Sequence, residues 1–344
     1  SGPRRQQNTL RDALLHCAPM SDTPYDGLTP DLILDAMESA GFEPSGGLLA
    51  LNSFENRVYQ IELNDGEFVV AKFYRPERWT DATIREEHAF SLELVDHELP
   101  VVAPIVRDGE TLFEHEGFRF AIFPRQGGYP PNLEDPDTYS VLARTLARMH
   151  EVGRTRAFEH RIRLSSERLG HQSRTFLLEN RWIPPDIEPA YESLTEHLLE
   201  EIDRRLPADL PGQRIHGDCH MGNVLWRGDT PHFVDLDDCL TGPEIQDLWM
   251  LLSGEHHERE AQLNKLLDAY LPFHDLSLAT IDLIEPLRTL RIMHHAAWIA
   301  RRWSDPAFPI AFPWFDSERY WSQHVLELRE QQAALQEPPL AYLG

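Results

Sequence analysis

Apolar and polar positions fall into a readable period from Thr29 onward. Thr29-Pro30-Asp31 sets a capping hydroxyl, a proline suited to the first helical turn and an acid ahead of residues 32–40. Gly41 closes the run, so a short helix is expected there. The period then drops to two. Residues 57–63 alternate, Asn64-Asp65-Gly66 supplies a turn, and residues 67–74 resume, which is the signal of a hairpin. Thr80 caps a helix expected to run to about Asp96. Strands are expected over 101–107, 111–115 and 118–123, with glycines at the turns. Past Gly127-Gly128 helical periodicity takes over, at 136–153, 188–206, 244–253, 259–270, 278–303 and 317–336. One β island, 214–237, interrupts it. The expected class is α+β, a small sheet with one main helix followed by a larger helical unit, with no internal repeat.

Charge narrows the partners. The 344 residues hold 57 acids against 32 bases, a net charge of −25, which excludes nucleic acid and anionic membrane surfaces as expected partners. No apolar run reaches the roughly 18 residues of a membrane span, and no signal peptide is visible. Cys17, Cys219 and Cys239 form an odd, sparse set without metal spacing, as in a reducing compartment, so a cytoplasmic location is expected. The chain opens on Ser1, and Met20 is a candidate native start; residues 1–27 are expected to be an extension, in part vector-derived. Only Lys72 and Lys265 are lysines among the 32 bases. A chain that avoids lysine yet keeps Lys72 inside the apolar run Phe68-Val69-Val70-Ala71-Lys72-Phe73 calls for a reason.

The β island holds the candidate chemistry. It reads His216-Gly217-Asp218-Cys219-His220-Met221-Gly222-Asn223, then Phe233-Val234-Asp235-Leu236-Asp237-Asp238. Two short strands joined by a turn would set Asn223 beside Asp235. An amide oxygen and a carboxylate are hard ligands suited to Mg²⁺, which keeps room for phosphates. Asp218, left off the metal, could orient a hydroxyl and accept its proton. That division of labour belongs to phosphoryl transfer.

His-Gly-Asp-x4-Asn followed by an apolar-Asp strand resembles the aminoglycoside phosphotransferase and choline kinase group of the protein-kinase-like fold. Leu51-Asn52-Ser53-Phe54-Glu55-Asn56-Arg57, Lys72-Phe73-Tyr74-Arg75-Pro76-Glu77-Arg78-Trp79 and Asp305-Pro306-Ala307-Phe308-Pro309 extend the likeness to the bacterial stress-response kinases of that group, over about 28–340. The resemblance implies a bilobal fold, with a nucleotide-binding N-lobe at 28–124 and a C-lobe at 125–344. It implies Mg²⁺ and ATP, Ser/Thr protein kinase activity with autophosphorylation in a cellular stress response, and a monomer. Asp218 then matches the catalytic base, Asn223 and Asp235 the metal ligands, and Asp235 also the catalytic set. Lys72 matches the phosphate-binding lysine, paired with a glutamate of the following helix. Glu86 and Glu87 both qualify, and Glu87 is favoured because it follows Ile84 on the apolar face. Ser53, in place of a glycine-rich loop, would meet phosphate through its hydroxyl. Phe123, in the stretch 120–124, would bond adenine through its backbone, since Pro124 lacks an N–H.

Gly217 stands where conventional protein kinases place an arginine, and only eight residues separate Asp235 from Glu244, so activation-loop switching is not expected. Asp247 would brace the catalytic loop and His216 orient it, while His220 could face substrate. Trp298, Arg301, Arg302 and Trp303 read as core packing with salt bridges more readily than as a substrate wall. Protein substrates bearing Ser or Thr are the first expectation. A small-molecule kinase acting on choline, homoserine or an aminoglycoside is the second, and a non-catalytic nucleotide-binding adaptor the third.

Overall fold

The structure is a computed structural model that describes residues 23–135, 137–207 and 209–344. The expectations for Cys17, Met20 and the rest of 1–22, and for Pro136, fall outside the described residues.

Helix α1 (Pro30–Ser39) begins where Leu32 N donates to Thr29 Oγ1 at 3.3 Å, and it ends ahead of Gly41. It lays Ile33, Ala36 and Met37 on one face of a five-stranded antiparallel sheet ordered β1-β2-β3-β5-β4. The strands are β1 (Pro44–Ala50), β2 (Arg57–Leu63), β3 (Phe68–Phe73), β4 (Phe113–His115) and β5 (Phe118–Pro124). Val69, Ala71 and Phe73 of β3 join the α1 side, so strict alternation sends Lys72 to the other face. There α2 (Asp81–Asp96) packs, N-capped by Thr80 and burying Ile84, Glu87, Phe90 and Leu94.

Two expectations change. Strand β1 was not expected, because Gly46 and Gly47 erase the alternation; it forms through its pairing with β2, Leu48 opposite Ile61. Residues 101–107 are not a strand. Pro104 lacks an N–H, and the segment touches its neighbours singly, with Val101 bridging Phe233 and Ile105 N donating to Ile122 O at 2.7 Å.

The helical part comprises α3 (Thr138–Gly153), a π-type turn (Glu167–His171) leading into α4 (Gln172–Glu179), and α5 (Glu188–Arg205). It continues with α6 (Ile245–Trp249), α7 (His256–Tyr270), α8 (Ile284–Arg301), α9 (Ala307–Ala311) and α10 (Glu318–Ala334). The stretch expected as one helix over 278–303 divides into a 3₁₀ turn (Leu278–Leu283) and α8, which holds Pro286 in its first turn, where a missing N–H does no harm. Within it two ribbons form, β6 (Gln213–Ile215) with β9 (Leu240–Gly242) and β7 (Val224–Arg227) with β8 (Thr230–Phe233). Separate apolar cores lie under α1 and among the helices.

Helix α2 is tied to the helical part. Glu86 accepts from three consecutive backbone N–H groups, of Glu159 at 2.5 Å, His160 at 2.8 Å and Arg161 at 2.7 Å. Arg161, itself buried, donates to the carbonyls of Asp237 at 2.5 Å and Cys239 at 2.7 Å. The helix and the segment after Asp235 are thereby fixed to one another.

Candidate active site

The loop 216–223 joins β6 to β7 and is braced from below. Asp247 of α6 is fully buried, and its carboxylate accepts from His216 N at 2.9 Å and Gly217 N at 2.8 Å; His150 Nε2 lies 3.0 Å from the same group. Gly217 has φ +84°, and a Cβ there would run into the carbonyl of Asp238, so glycine is required. His216 Nδ1 receives Asp218 N at 3.4 Å, which leaves Nε2 to donate to Val234 O at 3.0 Å. His216 is thus a strut between loop and strand.

The Asp218 side chain is partly exposed. Its Oδ1 accepts from Arg291 Nη1 of α8 at 2.6 Å, and its Oδ2 lies 3.4 Å from Asn223 Nδ2 and 3.5 Å from His220 Nε2. His220 accepts Gly222 N on Nδ1 at 3.0 Å, which places its proton on Nε2, facing Asp218. Burial alone would raise the Asp218 carboxyl, but the His220 hydrogen bond and the Arg291 charge hold it well below the usual carboxylate range.

Asn223 O accepts Val234 N at 3.0 Å, so Asn223 and Asp235 are near neighbours on adjoining chains. Asn223 Nδ2 is committed to Asp218, to the carbonyl at 3.0 Å, which turns the amide oxygen Oδ1 away from the loop. Asp235 sits in the left-handed region, φ +60°, with a side chain 53% exposed, and among the described residues its Oδ1 alone is engaged, by Lys72. The Asn223 amide oxygen and the other Asp235 oxygen, without a hydrogen-bond partner among the described residues, fit a hard divalent cation, which would leave room for phosphate and water. Among the described residues no three His, Cys, Asp or Glu side chains converge on a metal position.

Lys72 is buried and meets three acids: Asp235 at 2.9 Å, Asp237 at 3.4 Å and Glu87 at 4.0 Å. Burial draws the ammonium pKa down, yet these charges hold it well above the ordinary lysine value. Burial lifts Glu87 to about 7 against the opposing charge of Lys72. Glu86 lies about 100° further round α2 and faces 159–161 instead.

Asp237 belongs to the site although its Asp-x-Asp-Asp setting reads as a solvated turn. It is 2% exposed, and its Oδ2 accepts from Asn56 at 3.1 Å and from Arg78. Burial would raise its carboxyl, but Arg78, Lys72 and Arg161 drive it well below the carboxylate range.

The β1–β2 turn carries Ser53, half-buried at the cleft, with no side-chain hydrogen bond among the described residues. Beside it Glu55 takes Trp298 Nε1 of α8 at 2.7 Å and Arg302 Nε, just past the end of that helix, at 2.9 Å. Buried Asp305 accepts from Arg57 at 2.8 Å and Arg75 at 2.9 Å. Phe54 packs on Phe312, ring centroids 5.1 Å apart. The turn is therefore fastened across the cleft, a network whose members the sequence shows only as complementary charges in distant runs. Phe123 is placed differently from expectation. Its register opposite Val70, with Tyr74 N bonded to Arg119 O in the same ladder, commits its N–H and C=O to β3. Adenine bonds from Phe123 itself would require that ladder to open.

A lysine anchored beside a metal-fitting Asn–Asp pair, with a braced aspartate nearby, would suit phosphoryl transfer, and the chain belongs to the phosphotransferase enzyme family (APH), whose sequence profile matches residues 48–281. It is 45% identical to stress response kinase A of Escherichia coli O157:H7, over 92% of this chain and 96% of that protein. It is 44% identical, over the same shares, to the serine/threonine protein kinase RdoA of Salmonella typhimurium (strain LT2). Among solved structures, an amicoumacin kinase in complex with AMP-PNP, Ca²⁺ and Ami superposes with a TM-score of 0.70 at 16% identity, covering 88% of this chain and 93% of that one. A microcompartment-associated aminopropanol kinase gives 0.66 at 16% identity, over 88% and 98%. These likenesses confirm the bilobal α+β protein-kinase-like fold. Among the described residues no helix is long and apolar enough to cross a membrane.

Proposed function

We propose that this phosphotransferase is a Ser/Thr protein kinase that uses ATP with Mg²⁺ and serves a cellular stress response. The observation that carries the reading is the convergence of Lys72, Asp235, Asn223 and Asp218 at one cleft, with Lys72 already 2.9 Å from Asp235. The names of the relatives at 44–45% identity support protein acceptors and the stress role. In this reading residues 28–124 hold the nucleotide and 125–344 the loop, the metal and the acceptor, in a cytosolic monomer.

Lys72, held cationic by its acids, contacts the α- and β-phosphates, and the Ser53 hydroxyl and neighbouring backbone N–H groups cover them. Glu87 steadies the lysine from α2. Asn223 and Asp235 would hold the cation, which when bound would neutralise charge on the phosphates. Asp218, kept ionised, orients the acceptor hydroxyl and takes its proton as the oxygen attacks. The test is transfer of labelled γ-phosphate from Mg²⁺–ATP to the chain itself and to a generic protein acceptor, beside Asp218→Ala. Ser/Thr label that disappears in the variant is the expected result. Label only on added choline, homoserine or an aminoglycoside would establish the small-molecule reading instead, and nucleotide binding without transfer would establish an adaptor.

A further inference from the structure

Arginines gather on the α8 side of Asp218, and two of them make no ion pair with a carboxylate among the described residues. Four guanidiniums surround His294 of α8: Arg291 within the helix, Arg301 as its last residue, Arg302 just past its end, and Arg168 on the π-type turn. Burial, reinforced by these four charges, holds His294 in their midst at about 3. Two carboxylates pair with them directly, and Asp238 acts on Arg168 from further off. Asp218 takes Arg291 at 2.6 Å and Glu55 takes Arg302 at 2.7 Å. Arg301 donates to the carbonyl of Gln172 at 3.0 Å and lies over the Phe176 ring at 4.8 Å. Arg168 faces the Trp79 ring at 5.9 Å. Neither has a carboxylate in ion-pair contact among the described residues. Arg288, one turn before Arg291, is turned instead toward Glu285 at 3.5 Å and Trp249 at 5.3 Å. Arg291 is 42% exposed beside Asp218, and Arg301, nearly three turns further along α8, is exposed too, so both face solvent. In a chain of net charge −25, this gathering of arginines is not a reflection of composition.

We propose that the acceptor is an acidic segment, a Ser or Thr hydroxyl with Asp or Glu side chains within a few residues of it. The inference rests on the protein kinase reading above and names its substrate class. Arg291 exchanges Asp218 Oδ1 for a carboxylate of the acceptor, which frees that oxygen for the hydroxyl, while Arg301 and Arg168 meet carboxylates further along. The transfer then balances as before. The hydroxyl oxygen bonds the γ-phosphorus, the bond to the ADP oxygen breaks, and the hydroxyl proton passes to Asp218. The same field repels the ammonium groups of choline and amino sugars, a discrimination by like charge.

The test compares three peptides with one serine each, flanked by Asp and Glu, by Ala, or by Lys, under Mg²⁺ and ATP. The acidic peptide is expected to exceed the neutral one in kcat/KM by about ten-fold or more, mostly through KM, with the advantage shrinking as salt rises. Arg291→Glu and, independently, Arg301→Glu on the exposed face should bring the acidic-to-neutral ratio to about one or below it. The ratio is read within each variant, so a general loss of rate does not disguise the result. Equal use of the three peptides, preference for the basic one, or a ratio unmoved in both variants overturns the inference and leaves the kinase reading in place. Label on an amino alcohol or amino sugar with none on any peptide overturns both.

Discussion

Asp237 Oδ1 lies 3.4 Å from Lys72 Nζ, nearer than Glu87 at 4.0 Å, and accepts no hydrogen bond among the described residues. Two buried acids therefore share one lysine, and they should respond differently to loss of charge. Asp237→Asn leaves Arg78 and Lys72 under-neutralised in a buried setting, so a stability loss of roughly 3 kcal/mol is expected by denaturant titration. Glu87 behaves in the opposite sense. Its folded pKa of about 7 stands above the ordinary 4.5, so its ionisation opposes folding as pH rises through that window. Glu87→Gln should match or exceed the parent in stability at pH 8 while raising KM for ATP. A variant clearly less stable than the parent at pH 8 would show that the Lys72–Glu87 attraction outweighs burial.

Lys72→Arg should keep the fold and lose transfer by roughly 10²-fold or more, because the planar fork cannot reproduce a compact ammonium held among three acids. Melting temperature and steady-state labelling, measured together, separate the two effects. Full activity in the arginine variant would count against phosphate binding at this position.

Removal of divalent cation by EDTA should abolish transfer and leave the far-ultraviolet circular dichroism spectrum unchanged, since Asn223 and Asp235 are held by Asp218, Val234 and Lys72 without it. Activity should return with Mg²⁺. Asn223→Ala should raise the Mg²⁺ concentration needed for half-maximal rate, and an unchanged requirement would remove Asn223 from the metal site.

Asp247→Ala withdraws the acceptor from His216 N and Gly217 N at once. Two buried donors without partners cost about 1–3 kcal/mol each, and the loop that carries Asp218 loses its brace. The expected outcome is a fall in kcat with KM for ATP little altered, alongside faster amide exchange across 216–223. A drop in stability with kcat intact would make Asp247 purely structural.

His324 is buried between Tyr191 and Tyr320, its Nε2 without a hydrogen-bond partner, and burial lowers its pKa to about 4. A depressed histidine stabilises fully above its unfolded pKa near 6.5 and loses that contribution as pH falls toward 4. By pH 5 the loss is about 2 kcal/mol. His324→Phe should flatten the acid limb of the stability profile between pH 6.5 and 4. An unaltered limb would assign acid sensitivity to other groups, His88 and His294 among them, which burial holds at about 3.

Residues whose roles follow from local pattern were legible in the sequence. Thr29 and Thr80 announce their helices, Asn64-Asp65-Gly66 announces the β2–β3 hairpin, and lysine scarcity singles out Lys72. Glycine-rich β1 was not legible, because only its partner strand makes it a strand. Asp237 escaped for a related reason: whether a short acidic turn is solvated or buried depends on Arg78, Arg161 and Asn56, which lie far away in the chain. The union of Glu55 with Trp298 and Arg302 spans more than 240 residues, a relation that charge patterning can suggest but cannot pair. Phe123 shows the converse limit, since ladder parity is set by register across β3 and not by β5 alone.

The bond of Glu86 to three successive amides has a consequence for how such a molecule can be governed. Swinging α2 outward would strip 159–161 of their acceptor, and Arg161 carries the same constraint to the carbonyls of Asp237 and Cys239. Beyond them β9 is already stitched to β6, so the stretch before Glu244 has no slack in which order and disorder could alternate. On the proposed kinase reading, each copy would leave the fold ready to act. Output would then vary with copy number, nucleotide and the arrival of an acceptor, a throttle set by supply and turnover in place of a toggle on the individual molecule.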